Sequence, residues 1–219
     1  MKKLLLTQLV FVAFHFVSNA QNTTFGFTAG AVIANYKFKM ADVSFSQKSK
    51  IGITAGVLAN IPFNKQFSIQ PAVNFVQKGT KIENTDGTFT DKSTTTVNCI
   101  EVPLNFLYNV SGKNGGNFFI GAGPSIVFAI SGKDKYDDGT NVTSDKLKFG
   151  NGEDDDLKGM DLGANFITGY NFKNGFLFSV NYNLGLSNLV PGESSSDYSA
   201  KSSYFGLKLG YVLNSRGHN

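Results

Sequence analysis

Between Phe176 and Ser187 the chain reads FLFSVNYNLGLS. Phe176, Phe178, Val180, Tyr182, Leu184 and Leu186 hold the even positions, and after Leu177 the odd ones are Ser179, Asn181, Asn183, Gly185 and Ser187. Alternation with a period of two makes a β-strand with one apolar and one polar face; a helix would scatter the same residues around its circumference. The pattern recurs over Met160–Phe172 (with Ile167 as an exception), Phe118–Ser131, Phe67–Lys78, Ile100–Val110 and Phe205–Leu213, and more weakly over Thr24–Asn35 and Lys50–Asn60. Eight strands are therefore expected, most of them well beyond the roughly 5–6 residues usual in soluble domains.

The connections alternate too. Ile61–Lys65, Ser111–Gly116 and Lys173–Gly175 are short, whereas Tyr36–Ser49, Glu83–Ser93, Asp134–Asp156 and Val190–Ala200 are long and polar. Short turns at one end and long loops at the other, on strands long enough to cross a bilayer, describe an all-β, eight-stranded antiparallel transmembrane β-barrel, an up-and-down meander in the outer membrane. Phe67, Tyr108, Phe118, Phe172, Phe176 and Tyr211 close the ends of the apolar faces, where an interfacial aromatic girdle belongs. The alternative is a secreted lipocalin-like barrel with a charged exterior. Charged residues are 16% of the chain, against about 25% in a typical soluble domain. The face opposite the apolar one is made of Gly, Ser and Asn, which suits a lumen.

The chain opens with a secretory signal pattern: Lys2 and Lys3, an apolar run Leu4–Val17, and Ser18-Asn19-Ala20 before a cut at Gln21. This run of fourteen residues is short of the roughly 20 that a spanning helix needs. Residues 1–20 are thus expected to be a signal peptide, 21–213 the barrel and 214–219 a tail. Removing the leader leaves 18 basic and 16 acidic groups, a net charge of 18 − 16 = +2 with no basic stripe, so no nucleic acid partner is expected.

FSIQPAVNFVQKGTK at Phe67–Lys81, IEVPLNFLY at Ile100–Tyr108 and the closing GLKLGYVL at Gly206–Leu213 resemble the PorT-like outer-membrane β-barrel family of Bacteroidetes. That family shows a "QPE" strand ending in "QKG", then an acidic residue before an aliphatic-Pro-Leu. Ala72 stands where the family often has Glu, so any role of that carboxylate is missing here. The resemblance implies an eight-stranded outer-membrane barrel, and a link to protein secretion through the family's named member.

Candidate chemistry is sparse. The only histidines, His15 and His218, sit at the chain's ends. The barrel therefore lacks the side chain that Ser–His or Asp–His catalysis needs, and no catalytic residue, metal site or cofactor is expected. Cys99 reads as a small filler. The loop Asp134–Asp156 carries eight acids against Lys135, Lys146 and Lys148. Asp134, Asp138, Gly139 and Asp145 fall at positions 1, 5, 6 and 12 of a calcium loop, but Tyr136 at position 3, Asp rather than Glu at position 12 and the lack of flanking helices depart from it. A solvated, mobile loop is the expectation.

Four charges fall on the small-residue face: Lys78, Glu101, Asp161 and Lys208. Counted from the expected strand ends, Glu101 and Lys208 lie at one depth and Lys78 and Asp161 at another. An isolated charge in a dry lumen is strongly unfavourable, so two cross-lumen pairs, Glu101–Lys208 and Lys78–Asp161, are expected to help plug the barrel; the alternative is that each charge is solvated. A solute channel is disfavoured because eight-stranded interiors are filled by side chains. The function expected is a structural or binding role through surface loops, as a monomer. Its surroundings are outer-membrane lipid, and its partner an unknown surface ligand or envelope protein. An accessory of a secretion or envelope-assembly machine is the alternative. The leader is checked by the intact mass of membrane-extracted protein: a mass beginning at Gln21 is expected, and one retaining Met1–Ala20 would remove the signal assignment.

Overall fold

The computed structural model describes residues 23–40, 43–44, 47–86, 89–112, 115–192 and 198–213. The expected leader and tail lie outside the described residues. The strands are β1 (Thr24–Met40), β2 (Val43–Ser44), β3 (Lys48–Pro62), β4 (Phe67–Asp86), β5 (Phe89–Ser111), β6 (Asn117–Asp137), β7 (Val142–Lys146), β8 (Met160–Asn171), β9 (Phe176–Gly185) and β10 (Tyr198–Leu213). Eight of them form an antiparallel ring in the order β1-β3-β4-β5-β6-β8-β9-β10, closed by pairing of β10 with β1. β2 pairs with the end of β1 and β7 with the end of β6. The expected eight-stranded meander is the observed architecture.

The strands reach farther at the loop end than alternation indicates. β4 continues to Asp86 and β5 starts at Phe89, so the expected loop Glu83–Ser93 is a ladder with Thr80↔Thr95, Lys81↔Thr94 and Glu83↔Lys92 opposed. β10 begins at Tyr198 rather than Phe205. Threonine favours strands, but polar residues on both faces carry no apolar-polar signal. β8 and β9 stay short, with 12 and 10 residues.

Outward side chains form an apolar band. Phe178 and Leu184 on β9 are outward and exposed, while Asn181 between them is buried in the lumen. Two bulges interrupt the alternation. β3 gains a residue between Ser49 and Thr54. β6 gains Ile130, because Cys99 opposes Ala129 while Asn98 opposes Ser131. A bulge re-aims every side chain beyond it. Ser131, assigned by alternation to the lumen, therefore faces outward and accepts a hydrogen bond from Asn98 Nδ2 at 3.0 Å.

The lumen holds stacked apolar plugs. At the turn end Leu58, Leu107, Phe119 and Leu177 pack together, joined by Ile167. Val32, Ala34, Val76 and Tyr204 form a middle cluster. At the loop end Tyr36, Val97, Cys99, Val127, Leu157, Leu189 and Ala200 make the third. Ile167 and Leu177 break the alternation in sequence because they serve the lower plug. Substituting Phe178→Arg or Leu184→Arg is expected to impair insertion by about 2–4 kcal/mol. Asn181→Arg should instead disturb packing inside the barrel. Urea titration of the refolded variants in lipid vesicles checks this, and equal tolerance at all three positions would contradict the assignment of faces.

Candidate functional site

The lumen between the plugs is a polar network built on β10. The alternation of β10 sends Ser202, Tyr204 and Lys208 inward, and all three are buried. Tyr204 Oη donates to Glu101 Oε2 at 2.5 Å, and the same carboxylate oxygen accepts from Asn74 Nδ2 at 3.4 Å. Asn181 Nδ2 donates to Tyr204 Oη at 3.2 Å and to Asn165 Oδ1 at 3.0 Å; Asn165 Nδ2 donates to Asn105 Oδ1 at 2.8 Å. Gly206 makes room for this chain, because a Cβ there would lie 2.5 Å from Asn181 Oδ1.

Above it, Lys78 Nζ donates to Ser202 Oγ at 3.1 Å and Ser202 Oγ donates to Asp161 Oδ2 at 2.8 Å. The ammonium also lies 5.3 Å from the centre of the Tyr204 ring, within cation–π range. Lys78 and Asp161 are thus joined through one hydroxyl rather than directly. Glu101 and Lys208 make no ion pair within 4.0 Å; among the described residues the pair at that range is Lys48–Glu83, on the outside. Lys208 instead lines a lower cavity with Gln70, Asn74, Asn105 and Asn165. The count from expected strand ends brought Lys78 and Asp161 to one level, but not Glu101 and Lys208 into contact: β5 begins at Phe89 and β10 at Tyr198, unequal distances above the assumed ends. Ser202 and Tyr204, which hold the network together, were missed for the same reason. Continuing the period of two upward from Gly206 and Lys208 is the signal that finds them.

The lower cavity and an upper one beside Tyr36, Lys78 and Asp161 each measure ≈ 20 Å³. That is room for about one water molecule. The upper mouth is sealed by two loop segments. Ala129 N donates to Gly159 O at 2.9 Å, Lys158 N to Leu189 O at 2.9 Å, and Leu189 N to Ala200 O at 2.8 Å. These bonds carry the wall from β6 to β10 through residues 157–159 and 188–190, above the short β8 and β9. Leu157 and Leu189 are buried in the uppermost plug.

The expectation of a mobile loop over Asp134–Asp156 is corrected in part. Its start is the β6–β7 ladder, and Leu147 and Phe149 pack against the upper plug. The calcium-like spacing is taken apart by the same ladder. Asp134 and Asp145 oppose each other across it, and Asp134 Oδ1 accepts from Ser93 Oγ at 3.0 Å. Asp138 caps the β6–β7 turn, accepting from the backbone N–H of Thr140 and Asn141, and these bonds hold its carboxyl below the ordinary range. Among the described residues no three His, Cys, Asp or Glu side chains converge on a metal position. Cys99 is buried in the upper plug.

Removing the Tyr204 hydroxyl leaves the buried Glu101 carboxylate with Asn74 as its remaining donor. Tyr204→Phe is therefore expected to lower folding stability by about 1–3 kcal/mol, read as a reduced urea midpoint for the refolded barrel. An unchanged midpoint would show that the hydroxyl contributes nothing.

A family model described as outer membrane protein beta-barrel domain matches residues 19–190. No curated protein matches significantly. Among solved structures, the chain is similar to Ail, the attachment invasion locus protein of Yersinia pestis, in complex with the heparin analogue sucrose octasulfate (13% identity, 88% of this chain and 99% of that one, TM-score 0.42). It is also similar to the outer membrane protein OprG from Pseudomonas aeruginosa (10%, 89% and 97%, 0.45) and to the outer membrane protease OmpT from Escherichia coli (9%, 88% and 96%, 0.37).

Proposed function

Because the chain belongs to the outer membrane protein beta-barrel domain family, we propose that it is a non-conducting, non-catalytic surface protein of the outer membrane whose loop-end sheet is its interaction surface. The carrying observation is the sealed lumen: an apolar plug at each end, a hydrogen-bonded polar network between, and cavities of ≈ 20 Å³. An interior so filled passes no solute. What remains for function is what projects. With short turns periplasmic and longer loops extracellular, the upper parts of β4, β5 and β6, with β7, form a sheet beyond the ring. Among the described residues its edges are unpaired, at β4 above Lys81 and at β7. Open strand edges and the Ser/Thr-rich faces between them offer main-chain and hydroxyl hydrogen bonds to a partner. The four lumen charges are, on this reading, part of the plug.

A second reading is the accessory role in secretion or envelope assembly that the PorT-like resemblance favours. Its support is that both motif segments meet in the network, Lys78 of the "QKG" segment at Ser202 and Glu101 of the Glu-Val-Pro-Leu segment at Tyr204. Co-purification with defined envelope machinery distinguishes the two readings.

An epitope inserted between Gly139 and Thr140 should be bound by antibody on intact cells, and the purified barrel should give no steady conductance in planar bilayers. Epitope access only after permeabilisation, or sustained single-channel current, would contradict the proposal.

A further inference from the structure

The outer wall changes character in the same order on both sides of the barrel. On β4, β5 and β6 the last full apolar row is Phe75↔Ile100↔Phe128, with the bulged Ile130 exposed just above it. The next outward row is Gln77↔Asn98↔Ser131, and the rows beyond it are Gly79↔Thr96↔Lys133↔Lys146 and Lys81↔Thr94↔Lys135. On β1 and β10 the rows are Ile33↔Phe205, then Asn35↔Ser203, then Lys37↔Lys201. Each row stands about 7 Å farther along the strand than the last. The first lysines of these rows therefore lie roughly 13 Å along the strand above the last full apolar row.

The amide row is knitted together. Gln77 Nε2 donates to Asn98 Oδ1 at 3.1 Å and Asn98 Nδ2 to Ser131 Oγ at 3.0 Å, while Lys50 Nζ donates to Gln77 Oε1 at 3.4 Å. Gly79 leaves the space that the Lys50 stem occupies, since a Cβ there would come within 2.6 Å of Lys50 Cδ. Above this row the register opposes lysine to lysine three times: Lys37↔Lys201, Lys48↔Lys81 and Lys133↔Lys146. Directly opposed like charges destabilise a sheet. Glu83 is bound to Lys48. Of the acids in the β6–β7 hairpin's ladder, Asp134 and Asp145 share its opposite face, because the Ile130 bulge turns Lys133 and Lys135 outward and Asp134 inward; Asp137 lies on the lysine face one row above Lys135, opposite Lys92, and accepts from the Gly139 N–H. Positive charge is thus concentrated on the membrane-facing side, at headgroup height, in pairs that an anion between them would stabilise.

We propose that this lysine tier binds the phosphate groups of the outer leaflet's glycolipid, seating its acyl chains on the apolar band below. Height selects this source over a soluble polyanion: the lysines follow directly on the lipid-facing rows, on the wall rather than at the sheet's tip. The turn end, ringed by Phe67, Tyr108, Phe118, Phe176 and Tyr211, shows no such tier among the described residues.

The test uses the full-length refolded barrel and diphosphorylated lipid A, with its enzymatically dephosphorylated form as the control. Native mass spectrometry in neutral detergent should show lipid A retained by the wild type. Near an anionic surface each lysine contributes about fivefold to binding, so Lys81→Gln, Lys133→Gln, Lys135→Gln and Lys146→Gln together should weaken retention by nearly three orders of magnitude, about 600-fold. The four corresponding arginine substitutions should preserve it. Lipid A should also raise the temperature at which the wild type loses its compact gel mobility, and raise it less for the glutamine variant. If the fourfold variant does not fold, Lys37→Gln with Lys201→Gln reads the same effect on the other wall. Equal retention by glutamine variants and wild type, or equal retention of dephosphorylated lipid A, would overturn the proposal. So would tight binding of a soluble sulfated glycan with no binding of lipid A.

Discussion

The ladder between β1 and β10, running from Phe25↔Leu213 to Met40↔Tyr198, leaves the ring without a free edge. In hydrocarbon an unpaired backbone N–H or C=O costs several kcal/mol, so closure is the condition for the chain to exist in a membrane at all. Closure over eight strands also fixes how narrow the interior is. Every second residue must fit that interior, and this explains why the inward positions are Gly, Ser, Thr and Asn with a few large side chains placed singly. Tyr204 and Phe119 are the largest side chains of their clusters, and the amides of Asn105, Asn165 and Asn181 join wall to wall. The polar interior is tied together by Tyr204 and Ser202, placed between charges that do not touch, while Glu101 Oε1, Asp161 Oδ1 and the Oδ1 atoms of Asn181 and Asn183 are left without a hydrogen-bond partner.

The two ends of the barrel then diverge for physical reasons. At the turn end the strands stop soon after the aromatic ring, and the lumen is shut by the side chains of Leu58, Leu107, Phe119 and Leu177. At the loop end β8 and β9 stop early, and backbone from two loops is laid into the gap, carrying Leu157 and Leu189 downward. The remaining strands continue past the membrane as a sheet. One extra residue at Ile130 decides which face of that sheet is basic. Without it Lys133 and Lys135 would crowd over the lumen and Asp134 would face lipid.

Much of this was legible in the sequence. A period of two over FLFSVNYNLGLS needs no structure to be recognised as a strand, and the contrast of short turns with long loops orients the ring. The four lumen charges were correctly placed on the inward face, and all four are buried. Their partners were not legible, because contact across a barrel depends on where each strand ends. The ends of β4, β5 and β10 lie in Thr- and Lys-rich stretches with no apolar-polar contrast. Nor does a single sequence announce a bulge: Ile130 and Ser131 continue an apparent alternation that the backbone breaks. The order inside Asp134–Asp156 was hidden in the same way, since Leu147, Phe149 and Leu157 are too widely spaced to mark an element, yet they pack together over the mouth.

Cys99 offers the most direct test of the sealed lumen, since it is the chain's single thiol and lies buried beneath Leu157 and Leu189. Folded barrel in detergent should be exposed to a small methanethiosulfonate reagent, and adduct formation followed by intact mass. The expected result is no labelling until the protein is boiled or unfolded in urea, with full labelling afterwards. Rapid labelling of the folded barrel would show that the mouth is open and would contradict the plugged interior.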